Sequence, residues 1–205
     1  MTITMVGGGG HCRACLDVVA ETGTTIHGIM DPKPVPADMG KWLGDSSWLD
    51  NAEARNTTYL ITVGQVDISP VRRELFEKVQ ERGLPFATVI SGHAVVSRHS
   101  QIGAGSIVMH RAVINRGASV GRNCIINTGA IIEHDAQVAD HCHISTGAIV
   151  NGGVQIGEGC MIGSGAILLH GVKIAPNVLV GAGAVVTRNI ETAGTWLGVP
   201  ARTAP

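Results

Sequence analysis

Thirteen residues, IIEHDAQVADHCH from Ile131 to His143, hold three histidines beside Glu133, Asp135 and Asp140. A histidine next to a carboxylate can serve as a general base whose ring the acid orients. Several histidines together can instead ligate a metal. A second group lies near the start, where Gly7, Gly8, Gly9 and Gly10 precede His11, Cys12 and Cys15. A glycine run between a strand and a helix forms a phosphate cradle, because the backbone lies bare and the helix N-terminus favours negative charge. Cys12 and Cys15 have the spacing of a redox pair, but a glycine loop precedes them and no proline or aromatic partner accompanies them.

Which of these side chains can meet is set by the period of the chain around them. Counting in sixes from Ile90 through Ile102, Ile114, Ile132, Ile144 and Ile162 to Val186, every sixth residue is aliphatic. A helix of 3.6 residues per turn cannot keep that period on one face, whereas short strands with a turn every six residues can. The pattern predicts a three-sided parallel β-helix with coils of eighteen residues. Positions eighteen apart then stack in columns. Cys124, Cys142 and Cys160 share an inward column, where thiols act as small hydrophobes.

His134 falls at a corner and points outward, between Arg116 one coil before and Gly152 one coil after, with His170 beyond. Alongside run Gly117, Asp135, Gly153 and Gly171, a glycine shelf on which another molecule could lie. Asp135 or Glu133 can orient the ring, and Arg116 would disfavour its charged form. His143 lies one side of the coil away, about 15–20 Å, so His134 and His143 cannot chelate one metal within a single chain.

The first 90 residues read as a small Rossmann-like α/β domain, and residues 91–205 as the β-helix with a C-terminal extension. Strands are expected at TITMV, TTIHGIMD, TYLITVG and PFATVI. One helix follows the glycines with Leu16, Val19 and Ala20 on one face, and a second has Ser69 as N-cap and Pro70 in first place. The segment from Asp31 to Trp48 is rich in Pro and Gly and reads as a loop over a ligand. Asp31 ends the second strand where a nucleotide-binding acid would stand. The dinucleotide fingerprint fails because Cys12 occupies the third glycine position, so a mononucleotide or nucleotide-sugar fits better.

Composition narrows the partners. The 205 residues carry a net charge of -1, which gives no reason to expect nucleic acid or an acidic membrane surface. The N-terminus has neither a basic flank nor a long apolar run, which points to the cytoplasm. Twenty-eight glycines against 3% aromatics suit narrow repeats. Five cysteines in a chain of this length suggest reduced thiols.

The stretches VGGGGH, GIMD, ITVG, NTGAIIEHD, HCHIS and GVPAR carry a resemblance to the nucleotide-activated 4-amino-sugar N-acetyltransferases, which group with sialic acid O-acetyltransferases. The resemblance implies a left-handed β-helix, a homotrimer with sites between subunits, and acetyl-CoA as co-substrate without a metal. It implies His134 as the base and Asp135 as its orienting acid. Gly8, Gly9, Gly10 and His11 would hold the diphosphate, Asp31 the uracil of a UDP-linked 4-amino-4,6-dideoxy sugar, and Asn127 the sugar. His143 of a neighbouring subunit, Gly152 and Gly181 would face acetyl-CoA. O-acetylation of a sialic acid, and a metal-dependent or non-catalytic β-helix, are the alternatives.

Overall fold

The computed structural model describes residues 2–204. Its N-terminal part is a four-stranded parallel sheet of β1 (Thr2–Val6), β2 (Thr25–Met30), β3 (Trp42–Gly44) and β4 (Thr58–Ile61), in the order β3-β2-β1-β4. Helix α1 (Gly10–Glu21) connects the first two strands, and α2 (Val71–Glu81) follows the last. This α/β arrangement was expected, with two differences in detail. The edge strand beside β2 is β3, inside the supposed loop, where the indole Nε1 of Trp42 donates to the carbonyl of Asp31 at 2.9 Å. PFATVI contributes only one bridge, between Tyr59 and Phe86, before the chain turns into the β-helix at Val89–Ile90.

The buried face of α1 also differs from expectation. Cys12, Cys15, Val18 and Val19 are buried, whereas Ala20 is exposed and Leu16 half-buried. Both thiols therefore belong to the core and both are free. Pro70 has helical dihedrals (φ -74, ψ -16) ahead of the assigned start of α2 at Val71, and Ser69 Oγ lies 3.5 Å from the Val71 amide.

From residue 89 the six-residue period becomes three flat sheets of two-residue strands, each strand pairing in parallel with the one eighteen residues on, as in Ile131↔Ile149 and Ile125↔His143. The second residue of each strand points inward and builds one continuous aliphatic core that includes Cys124, Cys142 and Cys160. Each of these thiols donates to a corner carbonyl, Cys124 to Ala139, Cys142 to Gly157 and Cys160 to Ala175, at 3.1–3.2 Å.

The outward residues give the three faces different fates. On the first face Val89, Ile107 and Ile125 are buried in one cluster with Met5, Cys15 and Val19, which docks the α/β domain onto the prism. The second face carries Val95, Val113, Ile131, Ile149, Ile167 and Val185, none of them buried. The third carries Gln101, Ser119, Gln137, Gln155 and Lys173. One contiguous face of the prism is thus apolar and not covered by the described residues.

All five thiols are buried and unpaired. A thiol reagent should therefore modify none of them quickly in the native protein and all five in denaturant. A Cys12–Cys15 disulfide in the native state would contradict this packing.

Candidate active site

Corners of the prism require a residue near the left-handed region, and most of these positions are glycine. Asp135 is an exception, with φ +61 between Gly117 and Gly153 of the same column. Aspartate tolerates that conformation better than most residues. The bent backbone turns the carboxylate back on the preceding ring, and Asp135 Oδ2 sits 2.9 Å from His134 Nδ1. A carboxylate only accepts, so Nδ1 carries a proton, and in the neutral ring Nε2 is the nitrogen with the lone pair. Both side chains are more than half exposed. Glu133 is occupied elsewhere, accepting from Asn115 Nδ2 at 2.8 Å. Geometry thus pairs the ring with Asp135.

The supposed glycine shelf is not bare. The His134 ring itself lies over Gly152, and the ring of His170 follows with centroids 6.2 Å apart.

A second group of polar side chains forms where the α/β domain meets the first face. His143 Nδ1 contacts the carbonyl of Gln65 at 2.6 Å, and its Nε2 contacts Asn127 Nδ2 at 3.0 Å. Burial and the nearby Arg72 push the His143 pKa down to about 4, so the ring is neutral. With Nδ1 donating to a carbonyl, Nε2 must accept from the Asn127 amide, whose own Oδ1 takes the Thr128 N–H. His143 therefore has no proton left to offer a ligand. It is also 6% exposed and covered by its own chain. His11 lies in the same region, its pKa lowered to about 3 by burial, Arg72 and His143, with Nε2 3.4 Å from Cys15 Sγ.

The glycine loop divides by what each residue touches. Gly7 has φ +105, and a Cβ there would collide with Val63. Gly8 donates its amide to Asp31 Oδ2 at 2.8 Å, and a side chain on it would strike Val35. Asp31 Oδ1 accepts from the Lys33 amide at 2.9 Å, so this carboxylate braces the loop. Gly9 and Gly10 differ: neither has positive φ, and nothing lies within 4 Å of where a Cβ would stand. Their bare backbone opens the N-terminus of α1 to solvent. Beside it, at the C-terminal ends of β1, β2 and β4, is a cleft of about 350 Å³ lined by Gly7, Asp31, Asp45, Val63, Leu75 and Lys78 among others.

Gly181 has less to offer a ligand than expected. Its N–H donates to Trp196 at 2.8 Å, its carbonyl accepts from Ala184, and Leu197 covers the space a Cβ would take. The C-terminal strand Gly194–Leu197 pairs over it. Two contributors escaped the sequence reading. Gln65 acts through its backbone, which no residue type announces. Arg72 is 3% exposed and holds the carbonyls of Ile61 and Val63 with Nη1 and that of Asn123 with Nε. Its place at the helical spacing of Phe76 and Val79 was the signal that it faces inward.

Among the described residues, no three His, Cys, Asp or Glu side chains converge where one ion could sit. No described helix is long and apolar enough to cross a membrane.

Comparison with known proteins adds to this geometry. Residues 2–79 match the PglD N-terminal domain, and residues 153–188 match the bacterial transferase hexapeptide model. A histidine-to-asparagine mutant of perosamine N-acetyltransferase from Caulobacter crescentus, solved with CoA and GDP-perosamine, superposes with a TM-score of 0.94 at 30% identity, covering 100% of this chain and 97% of that one. The acetyltransferase domain of PglB from Neisseria gonorrhoeae gives 0.92 at 30% identity, with 99% of both chains covered. The same domain with acetyl coenzyme A bound gives 0.93 at 29%. WeeI from Acinetobacter baumannii, at 22% identity and 0.88, shares the fold over 98% of this chain and 99% of its own. A search of curated protein sequences found no match.

The buried neutral histidines make stability depend on pH. Between pH 6.5 and about 4 the unfolded chain takes up protons that folded His11 and His143 refuse. Stability is therefore full above pH 6.5 and falls as the pH drops. Urea midpoints measured across this range should fall towards acid, and the slope should shrink in His143→Gln. An unchanged slope would mean that the ring protonates freely in the folded state.

Proposed function

Because the chain belongs to the left-handed β-helix sugar N-acetyltransferases with a PglD-type N-terminal domain, we propose that it transfers the acetyl group of acetyl-CoA to the amino group of a nucleotide-activated amino sugar, with His134 as general base. The observation that carries this reading is the His134–Asp135 pair at 2.9 Å, which fixes the Nδ1–H tautomer and leaves a basic Nε2 exposed at a corner.

The chemistry follows from that atom. The sugar amine attacks the thioester carbonyl, and its proton passes to Nε2 as the C–N bond forms. Collapse of the tetrahedral species breaks the C–S bond, and the proton on Nε2 can neutralise the departing thiolate. Asp135 holds the ring through both steps and balances the imidazolium. The nucleotide part would occupy the cleft beside Asp31, with its diphosphate at the bare amides of Gly9, Gly10 and the start of α1.

The reading also needs more than one chain. The base is on the edge between the apolar second face and the polar third, while the glycine loop, His11, Asn127 and His143 gather over the first face. We assign the open aliphatic face to contact between copies, in a homotrimer that brings the His134 of one protomer to the α/β domain of the next. Burying what remains exposed of these six aliphatic side chains, at about 25 cal/mol per Å², would favour such an assembly.

His134→Ala should lower kcat by about 100- to 10,000-fold while assembly and CoA binding persist. Turnover near the wild-type rate would remove the base assignment. A charge in the apolar face, as in Ile149→Glu, should yield monomers by light scattering and abolish activity. An active monomer would refute the shared site.

A further inference from the structure

We infer that Gly152 is a positioning residue for the base: the missing Cβ at this point is what lets the imidazole of His134 lie across the corner in its Asp135-bound pose. The inference rests on the reading of His134 as the base. It assigns Gly152 a role that contact with acetyl-CoA would not supply.

Glycine at 152 has no backbone explanation. Its φ is not in the left-handed region, which the corner assigns to Gly153 at φ +68. The equivalent place in the other coils of the same column holds Arg98, Arg116, His134, His170 and Arg188, so the corner accepts large side chains there. What a side chain at 152 would meet is the base. A Cβ would stand 2.6 Å from His134 Nε2, 2.7 Å from Cε1 and 3.2 Å from Cδ2, and these three are its nearest neighbours. Gly152 is itself buried beneath the exposed ring. One coil before, Gly117 gives Asp135 similar room, since a Cβ there would fall 2.3 Å from Asp135 Oδ1. The base and its acid thus rest on two vacant Cβ positions, one on each side.

An alanine at 152 costs the fold little, because the obstacle is the free end of a mobile side chain. The ring must instead retreat by about 1 Å, and a displacement of that size can cost about a hundredfold in rate. The substitution should separate chemistry from stability.

The test is steady-state kinetics on Gly152→Ala beside Gly153→Ala and His134→Ala. Gly152→Ala should lower kcat about 10- to 100-fold, with the KM for acetyl-CoA within about twofold and the thermal midpoint nearly unchanged. ¹⁵N-histidine spectra should lose the His134 Nδ1–H signal bonded to Asp135. Gly153→Ala places strain at a positive φ, but its Cβ would have only His170 Cε1, at 4.0 Å, within reach and would leave the His134 ring untouched, so it should lower the thermal midpoint and keep kcat. A raised KM for acetyl-CoA with unchanged kcat in Gly152→Ala would overturn the inference in favour of a cofactor contact. Wild-type kinetics in Gly152→Ala with an inactive His134→Ala would overturn this inference alone. An active His134→Ala would show instead that the base reading had failed.

Discussion

Eighteen residues return this chain to the same edge, and the parallel hydrogen bonds between coils hold that return in register from Val89 to Val186. Everything at the site inherits this constraint. A side chain on the prism reaches only its own corner and those stacked above and below it, in steps of about 4.8 Å. His134 therefore meets Asp135, Gly152 and His170, while His143, half a coil away on another face, meets Gln65 and Asn127. The register builds two polar clusters and keeps them apart.

Each cluster has its own electrostatics. At the corner, an exposed histidine with a carboxylate on Nδ1 keeps a lone pair available. Under the α/β domain, burial and the uncompensated charge of Arg72 hold His11 and His143 neutral, and the proton of His143 is committed to the Gln65 carbonyl. Histidines a few residues apart in sequence thus sit in opposite settings: His134 is exposed against a carboxylate, and His143 is buried where it ties two domains together. Arg72 joins the halves of the chain by holding carbonyls of β4, of the following loop and of the β-helix at once.

Sequence made much of this legible because the β-helix repeats. A period that fits only one structure placed every inward aliphatic, the cysteine column and the His134 corner. The outward residue just before each inward one was equally readable as three unlike faces, a signal the sequence reading passed over. Where repetition ends, legibility fell. Trp42–Gly44 is too short and too close to Gly and Pro to announce itself as a strand, and the cover over Gly181 comes from residues thirteen or more further on. The buried side of α1 was misassigned because Leu16 and Ala20 share the helical spacing of Val19, whereas Cys12, Cys15 and Val18 are the residues packed with it. Gly152 was read as a place for a ligand, although the nearest neighbour of its vacant Cβ position is the His134 ring of the same chain. Residue types do not reveal which atom fills a vacancy.

The separation of the half-sites is the central claim, and mixed assembly tests it most directly. Subunits carrying His134→Ala and subunits carrying Asn127→Ala, each inactive alone, are unfolded, mixed in equal amounts and refolded together. If one site draws His134 from one protomer and Asn127 from the next, random assortment restores about one site in four, and activity returns to about a quarter of wild type. If each protomer holds a whole site, every chain in the mixture is defective and no activity returns.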